Sequence, residues 1–314
     1  MKYVGFVGDP QEESVIRQIL NMGPCDVCLW SPPAVDGEDR PRDDDRPTVD
    51  LDRLAEASMI VVNTGIERCR AIARQLGDVL TGRHVIVHTI RGIEAGTLTT
   101  ASKIFADETP TQRIGFLSGP MRLDDIRQER PAAAVCASRF PDVHDLVEES
   151  MMSPRFRVYH SRDIYGAELS AIYARLLALV SGLAHSLQLG ASLQATVFTR
   201  GLAEMARFVG AFEANQKTAY GLSGAGNLYV DTLERDDIDV QMGIALADGD
   251  AETFIERFGP PAQELVDIVE AFSQAAEDRG VEAHLLEAVE SLLTTATDPD
   301  KAIEYLMALP ALDE

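Results

Sequence analysis

The sequence predicts an α/β protein. A doubly wound, Rossmann-like parallel sheet domain spans residues 1–160, and an all-α domain spans 161–314. Three observations predict this. Short, continuous apolar runs alternate with helical patterns in the first half, which argues for parallel strands covered on both faces. Strand signals stop near residue 160. The stretch 168–189 is then too hydrophobic for a surface helix, so it should be central.

Taken in order, Val4-Gly5-Phe6-Val7-Gly8 reads as a buried strand, and residues 14–20 carry apolar positions at helical spacing. Residues 26–30 are a second strand. A Pro-, Asp- and Arg-rich stretch, 31–52, follows as a solvated loop. Met59-Ile60-Val61-Val62 and Val85-Ile86-Val87 are further buried strands, separated by a helix over 68–80. Segments 113–118, 132–137 and 157–160 supply later strands. Beyond them, 191–213, 262–279, 282–295 and 300–309 read as helices with polar faces. The glycine-rich segment 221–226 interrupts them.

Charge narrows the partners. Acidic residues number 51 against 28 basic ones, a net charge of −23. Such a field repels phosphate backbones and anionic lipid, so neither nucleic acid nor a membrane is expected as a partner. No segment approaches about 20 consecutive apolar residues, and the N-terminus lacks a basic-then-apolar signal, so the expected location is cytoplasmic. Only Lys2, Lys103, Lys217 and Lys301 are lysine, which restricts where a catalytic ammonium could stand.

Cys25 and Cys28 form a CxxC without a second pair. On a strand, residues i and i+3 point to opposite faces and cannot chelate together. The six histidines show no ligand spacing, so no metal site is expected. His84 and His88 flank an apolar run and read as strand ends.

Five ordered blocks resemble NAD(P)-dependent glycerol-3-phosphate dehydrogenase. Arg91-Gly92-Ile93-Glu94 stands where that family has Lys-Gly-Ile-Glu. Leu117-Ser118-Gly119-Pro120, followed by 131–138, is similar to its LSGP…PTAVVVAS stretch. Phe156-Arg157-Val158-Tyr159, then Gly166, Glu168 and Leu169, resembles FRVY…GVEL. Residues 199–205 read TRGLAEM, unchanged from the family, and 221–228 resemble GLAGLGDL. The resemblance implies a dinucleotide domain, a helical substrate domain and a dimer.

The groups that would carry the family's chemistry differ. Reducing dihydroxyacetone phosphate needs a bound nicotinamide, a cationic acid for the alkoxide and a cationic clamp for the phosphate. The cofactor loop GxGxxG reads Gly8-Asp9-Pro10-Gln11-Glu12-Glu13, keeping only Gly8. Proline removes an N–H donor, and Glu12 and Glu13 put negative charge where a pyrophosphate would sit. By the gap-free count from Gly166, Ala174 stands at the family's catalytic lysine and Arg175 at the adjacent asparagine. Asn227 replaces the aspartate of GLGDL, and Asp237-Ile238-Asp239-Val240 replaces the Ser-Arg-Asn-Arg phosphate clamp. Arg91 stays cationic but is too weak an acid to serve. Arg200 and Glu204, at i and i+4, could pair along a helix.

The retained residues Gly92, Ser118, Gly119, Pro120, Gly201, Gly221 and Gly224 serve turns and packing, whereas the chemical ones are exchanged. The expectation is therefore a glycerol-3-phosphate dehydrogenase-like pseudoenzyme with a regulatory or binding role. It would have no catalytic residue, Gly8 as the sole cofactor-loop remnant, and no bound cofactor. A homodimer is expected, with a protein or small molecule bound in an interdomain cleft lined by Arg91, Gly92, Ser118, Gly119, Pro120, Arg175, Gly224 and Asn227. The alternative is an active NAD(P)-dependent oxidoreductase interconverting sn-glycerol 3-phosphate and dihydroxyacetone phosphate or a related substrate, with Arg91, Arg175 or Tyr173 contacting it.

Overall fold

The computed structural model describes residues 2–8, 15–32, 50–294 and 298–308. Among these residues seven strands form one sheet: β1 (Lys2–Val7), β2 (Cys25–Trp30), β3 (Met59–Val62), β4 (Val85–His88), β5 (Ile114–Ser118), β6 (Ala132–Ala137) and β7 (Phe156–Ser161). Their order is β2-β1-β3-β4-β5-β6-β7. Among the described residues five α-helices accompany them: α1 (Val15–Met22), α2 (Ile66–Val79), α3 (Ala101–Glu108), α4 (Leu123–Arg127) and α5 (Pro141–Met151). β3, β4 and β5 are buried along their whole length, as strands covered on both faces must be.

Two apolar clusters lie on the two sides of the sheet. Val4, Phe6, Met59, Val61, Val85 and Val87 belong to one, and Val7, Ile60, Val62 and Ile86 to the other. This is the period-two alternation of a pleated strand. Cys25 packs against the first cluster and Cys28 lies in the second, so the CxxC side chains do face apart. Burial pushes the Cys136 thiol up to about 12, so it has no thiolate character at neutral pH.

One strand pair corrects the all-parallel expectation. β5 and β6 run antiparallel, while the other neighbours are parallel. Their connection, residues 119–131, contains only the five-residue α4, too little for a crossover helix. It begins at Gly119, whose φ of 142° is open to glycine and turns the chain back.

Among the described residues eight α-helices follow: α6 (Ile164–Ser186), α7 (Gly190–Ala211), α8 (Asn227–Asp231), α9 (Ile238–Asp248), α10 (Ala251–Phe258), α11 (Pro260–Arg279), α12 (His284–Thr294) and α13 (Pro299–Ala308). The glycine-rich segment forms a π-turn over Leu222–Gly226 that leads into α8. By length and apolarity α6 could cross a membrane, contrary to the expectation that no segment comes near. Yet 94% of its most apolar window is buried inside the protein, with Glu168 and Arg175 among the buried residues.

Two compact units divide the chain. One holds Met1–Gly92 and Thr99–Glu168; the other holds Ile93–Leu98 and Leu169–Glu314.

Candidate functional site

In the sheet unit, most candidate residues leave the carboxyl ends of neighbouring strands, the edge where open α/β sheets take ligands. Gly8 follows β1, Arg91 and Gly92 follow β4, and buried Ser118 ends β5 with Gly119 and Pro120 beyond it. Between them, Thr89 Oγ1 donates to Asn63 Oδ1 at 2.7 Å, tying the ends of β3 and β4.

A buried carboxylate that sequence reasoning left without a role organises this edge. Glu168 accepts from Thr100 Oγ1 at 2.9 Å and from the Ser102 backbone N–H at 3.0 Å. His88 Nε2 lies 2.8 Å from Ser102 Oγ and 3.4 Å from Glu168 Oε1. Glu168 thereby fixes the start of α3 to the first turns of α6. Its one signal in the sequence was its place in the GVEL-like block.

Does this edge fit a dinucleotide? A Cβ at Gly8 would stand 2.8 Å from the Phe6 ring and 2.9 Å from the Asn63 carbonyl oxygen. The space at Gly8 is therefore needed by the protein's own packing. Pro10, Glu12 and Glu13 lie outside the described residues. In sequence, one glycine, a proline and two acids stand where such folds carry the glycine-rich loop that cradles a pyrophosphate.

In the helical unit, Ala174 is fully buried on α6, and its methyl group can neither donate nor accept a proton. Next to it, Arg175 is buried in an ion triad. Its Nε donates to Asp239 Oδ2 at 2.9 Å and its Nη2 to Asp239 Oδ1 at 3.0 Å, a bidentate pair. Its Nη1 donates to Glu264 Oε1. Burial alone would pull the arginine pKa down, but the two carboxylates more than offset it and hold it above its ordinary value.

This triad revises two expectations. Arg175 is engaged by the protein rather than open to a ligand. Nor is Asp239 a bare charge facing a substrate phosphate, because Arg175 neutralises it. Asp237 has a third role: it caps α9, its Oδ1 accepting the Asp239 backbone N–H at 2.9 Å.

Tyr173 cannot serve as a substrate contact either. It is 1% exposed, and its hydroxyl donates to Glu204 Oε1 at 2.7 Å. Glu204 also accepts the backbone N–H groups of Leu285 at 3.1 Å and Leu286 at 3.1 Å, so it caps α12 from α7. The i, i+4 spacing had suggested Arg200 as its partner; the partners found are far away in sequence. Asn227 is buried at the start of α8, its Nδ2 donating to the Ser223 carbonyl at 3.0 Å. A Cβ at Gly224 would stand 2.1 Å from the Ala219 carbonyl oxygen, so that glycine serves close packing.

Burial raises the Glu204 pKa against the pull of its three donors. A carboxyl with a raised native pKa takes up a proton on folding. Its contribution to stability is then full below the unfolded-state value and falls as pH rises through the native one. Glu204→Gln removes this titration. Thermal unfolding of wild type should therefore lose more stability between pH 5 and pH 8 than the variant does; parallel profiles would refute the assignment.

Comparison with known proteins follows the same two-part organisation. The family model described as NAD-dependent glycerol-3-phosphate dehydrogenase N-terminus matches residues 46–143, and its C-terminus counterpart matches 163–304. A relative named glycerol-3-phosphate dehydrogenase, NAD(P)+, from Sinorhizobium fredii is 33% identical over 266 residues, covering 83% of this chain and 78% of its own. The protein of the same name from Beijerinckia indica is 31% identical over 275 residues, 86% of this chain and 80% of its own. That from Desulfitobacterium hafniense is 33% identical over 204 residues, 65% of this chain and 58% of its own length. Among solved structures, glycerol-3-phosphate dehydrogenase from Coxiella burnetii superposes with a TM-score of 0.84 at 22% identity, covering 98% of this chain and 99% of that one. That likeness shows the fold.

Proposed function

We propose a function from the premise that this chain belongs to the NAD-dependent glycerol-3-phosphate dehydrogenase family, whose two models together match most of it. The protein is glycerol-3-phosphate dehydrogenase-like, with the Rossmann-type fold of an oxidoreductase family. Its relatives' names weigh towards an NAD(P)-dependent oxidoreductase interconverting sn-glycerol 3-phosphate and dihydroxyacetone phosphate or a related substrate. The site geometry weighs the other way. Our reading is a dehydrogenase-like binding protein that has exchanged the groups of that reaction for internal contacts. A homodimeric, cytoplasmic protein with a regulatory partner or ligand completes the proposal.

The Arg175–Asp239–Glu264 triad carries this reading. Protonating the alkoxide formed by hydride transfer needs an acid that can release a proton near neutral pH. Ala174 has none, and Arg175 is held more firmly protonated than an ordinary arginine. Clamping a phosphate needs cationic donors free to turn towards it, and both faces of the guanidinium fork are directed at carboxylates. The family match weighs towards the enzymatic alternative at the cofactor end, since the family it describes is NAD-dependent.

Removing an acid or an electrostatic clamp from such a reaction typically costs on the order of 10² or more in rate apiece. With dihydroxyacetone phosphate, oxidation of NADH or NADPH by the purified chain should therefore match the protein-free background. Calorimetry should find either nucleotide binding more weakly than about millimolar, a standard free energy smaller than about 4 kcal/mol. Sustained turnover with either nucleotide, or micromolar binding, would overturn this reading in favour of the enzymatic one.

A further inference from the structure

At the free edge of the sheet, α5 grips the end of β7 by three contacts that neither the family reaction nor its site uses. His144 of α5 is buried, and its Nε2–H donates to the carbonyl of Ser161, the last residue of β7, at 3.0 Å. Its ring stacks on that of His160, with centroids 4.7 Å apart and planes inclined by 7°. His160 Nε2 lies 3.5 Å from Glu148 Oε2. Since Glu148 follows His144 by four residues, both grip β7 from one face of α5. Immediately afterwards Asp163 accepts the Gly166 N–H at 3.0 Å, and α6 begins.

We propose that His144, His160 and Glu148 form a proton-operated latch, which holds α5 on the sheet edge where α6 begins and releases it once both imidazoles are charged. His160 is the more exposed ring, and a charge on it would face the Glu148 carboxylate. Protons on both rings place like charges about 4.7 Å apart, one of them on the buried His144. Burial and His160 both oppose that proton, as does Arg162, while Asp145 and the Ser161 carbonyl favour it. The balance holds His144 below the ordinary histidine value.

Other elements packed on α5 add little titratable charge. Asp142, two residues before His144 on α5, is paired with Arg113 at the approach to β5. From α1 the charged residue is Arg17, and from the strands beneath come Leu117, Ala134 and the inert Cys136 thiol. Release is therefore governed by the two rings and their immediate carboxylates.

Imidazole NMR titration of the full chain, together with amide exchange along α5, tests the latch. His144 in wild type should bind its proton several-fold more weakly than it does once the His160 charge is removed. Exchange in α5, corrected for its intrinsic pH dependence, should accelerate at least tenfold between pH 7 and pH 5. His160→Phe keeps a stacked ring without the charge; it should strengthen proton binding at His144 and abolish the acid-induced acceleration. If that variant fails to fold, His160→Gln makes the same comparison. An unchanged proton affinity of His144 in that variant, or the same exchange profile in wild type and variant, would overturn the proposal.

Discussion

Asp239→Ala is expected to destabilise the protein by about 3–5 kcal/mol, the range seen when one partner is removed from a buried ion pair. The reason is asymmetry. Asp239 accepts two hydrogen bonds from the Arg175 guanidinium, and both partners are at least nine-tenths buried. Removing Asp239 takes the bidentate acceptor from Nε and Nη2 of a buried guanidinium, and water cannot readily replace what was lost. Against a total stability of about 5–15 kcal/mol for an ordinary domain, this is a large fraction. Chemical denaturation of the two proteins measures it directly. A control separates the pair's worth from the cost of breaking it. Replacing the triad as a whole, by Arg175→Met, Asp239→Leu and Glu264→Gln, removes all the charges together, and apolar replacements of buried ion pairs are often neutral or stabilising. That variant should recover most of the loss. If Asp239→Ala unfolds like wild type, Arg175 is not held by the protein, and its availability to a phosphate substrate returns to consideration.

The same triad marks how far the sequence could be read. Strands β3 and β4 were legible because strands buried on both faces are continuously apolar, and α6 because a central helix lacks a polar face. Direction was not legible: a buried strand's hydrophobic pattern is the same whether its neighbour runs parallel or antiparallel, so the β5–β6 reversal went unread. α9 was missed for a related reason. Its sequence, Ile238–Asp248, is apolar on most sides because it packs into the helical core, and no single-face periodicity announces it.

The candidate site was legible only as a set of exchanged residues. That Ala174, Arg175, Asn227 and Asp239 differ from the resembled family could be counted along the chain. What Arg175 does could not, because its partners lie 64 and 89 residues away and no local spacing brings them together. Glu204 is the converse case. Its i, i+4 neighbour Arg200 offered a local partner, and the fold used Tyr173 and the start of α12 instead. A buried carboxylate is satisfied by whichever donors the packing delivers, and those backbone donors have no signature in the side-chain sequence.

Gly243→Ala should cost about 3 kcal/mol, the upper part of the usual range for overpacking, because the added carbon meets backbone. A Cβ at Gly243 would stand 1.9 Å from the Leu179 carbonyl oxygen and 2.8 Å from the Leu183 nitrogen. On the facing helix, a Cβ at Gly182 would stand 2.0 Å from the Val240 carbonyl oxygen. α6 and α9 thus cross with backbone against backbone, and no rotamer change can make room. One helix must move by roughly the shortfall from ordinary contact, more than about 1 Å. Asp239 lies one turn before Gly243 on α9, and Arg175 two turns before Gly182 on α6, so the displacement also pulls on their bidentate pair. The two losses should then overlap. In a double-mutant cycle, Asp239→Ala together with Gly243→Ala should cost less than the sum of the single variants by 0.5 kcal/mol or more, the scale at which neighbouring sites couple. Strict additivity would mean that the crossing and the triad are independent, and that the glycine pair does not set the position of Arg175.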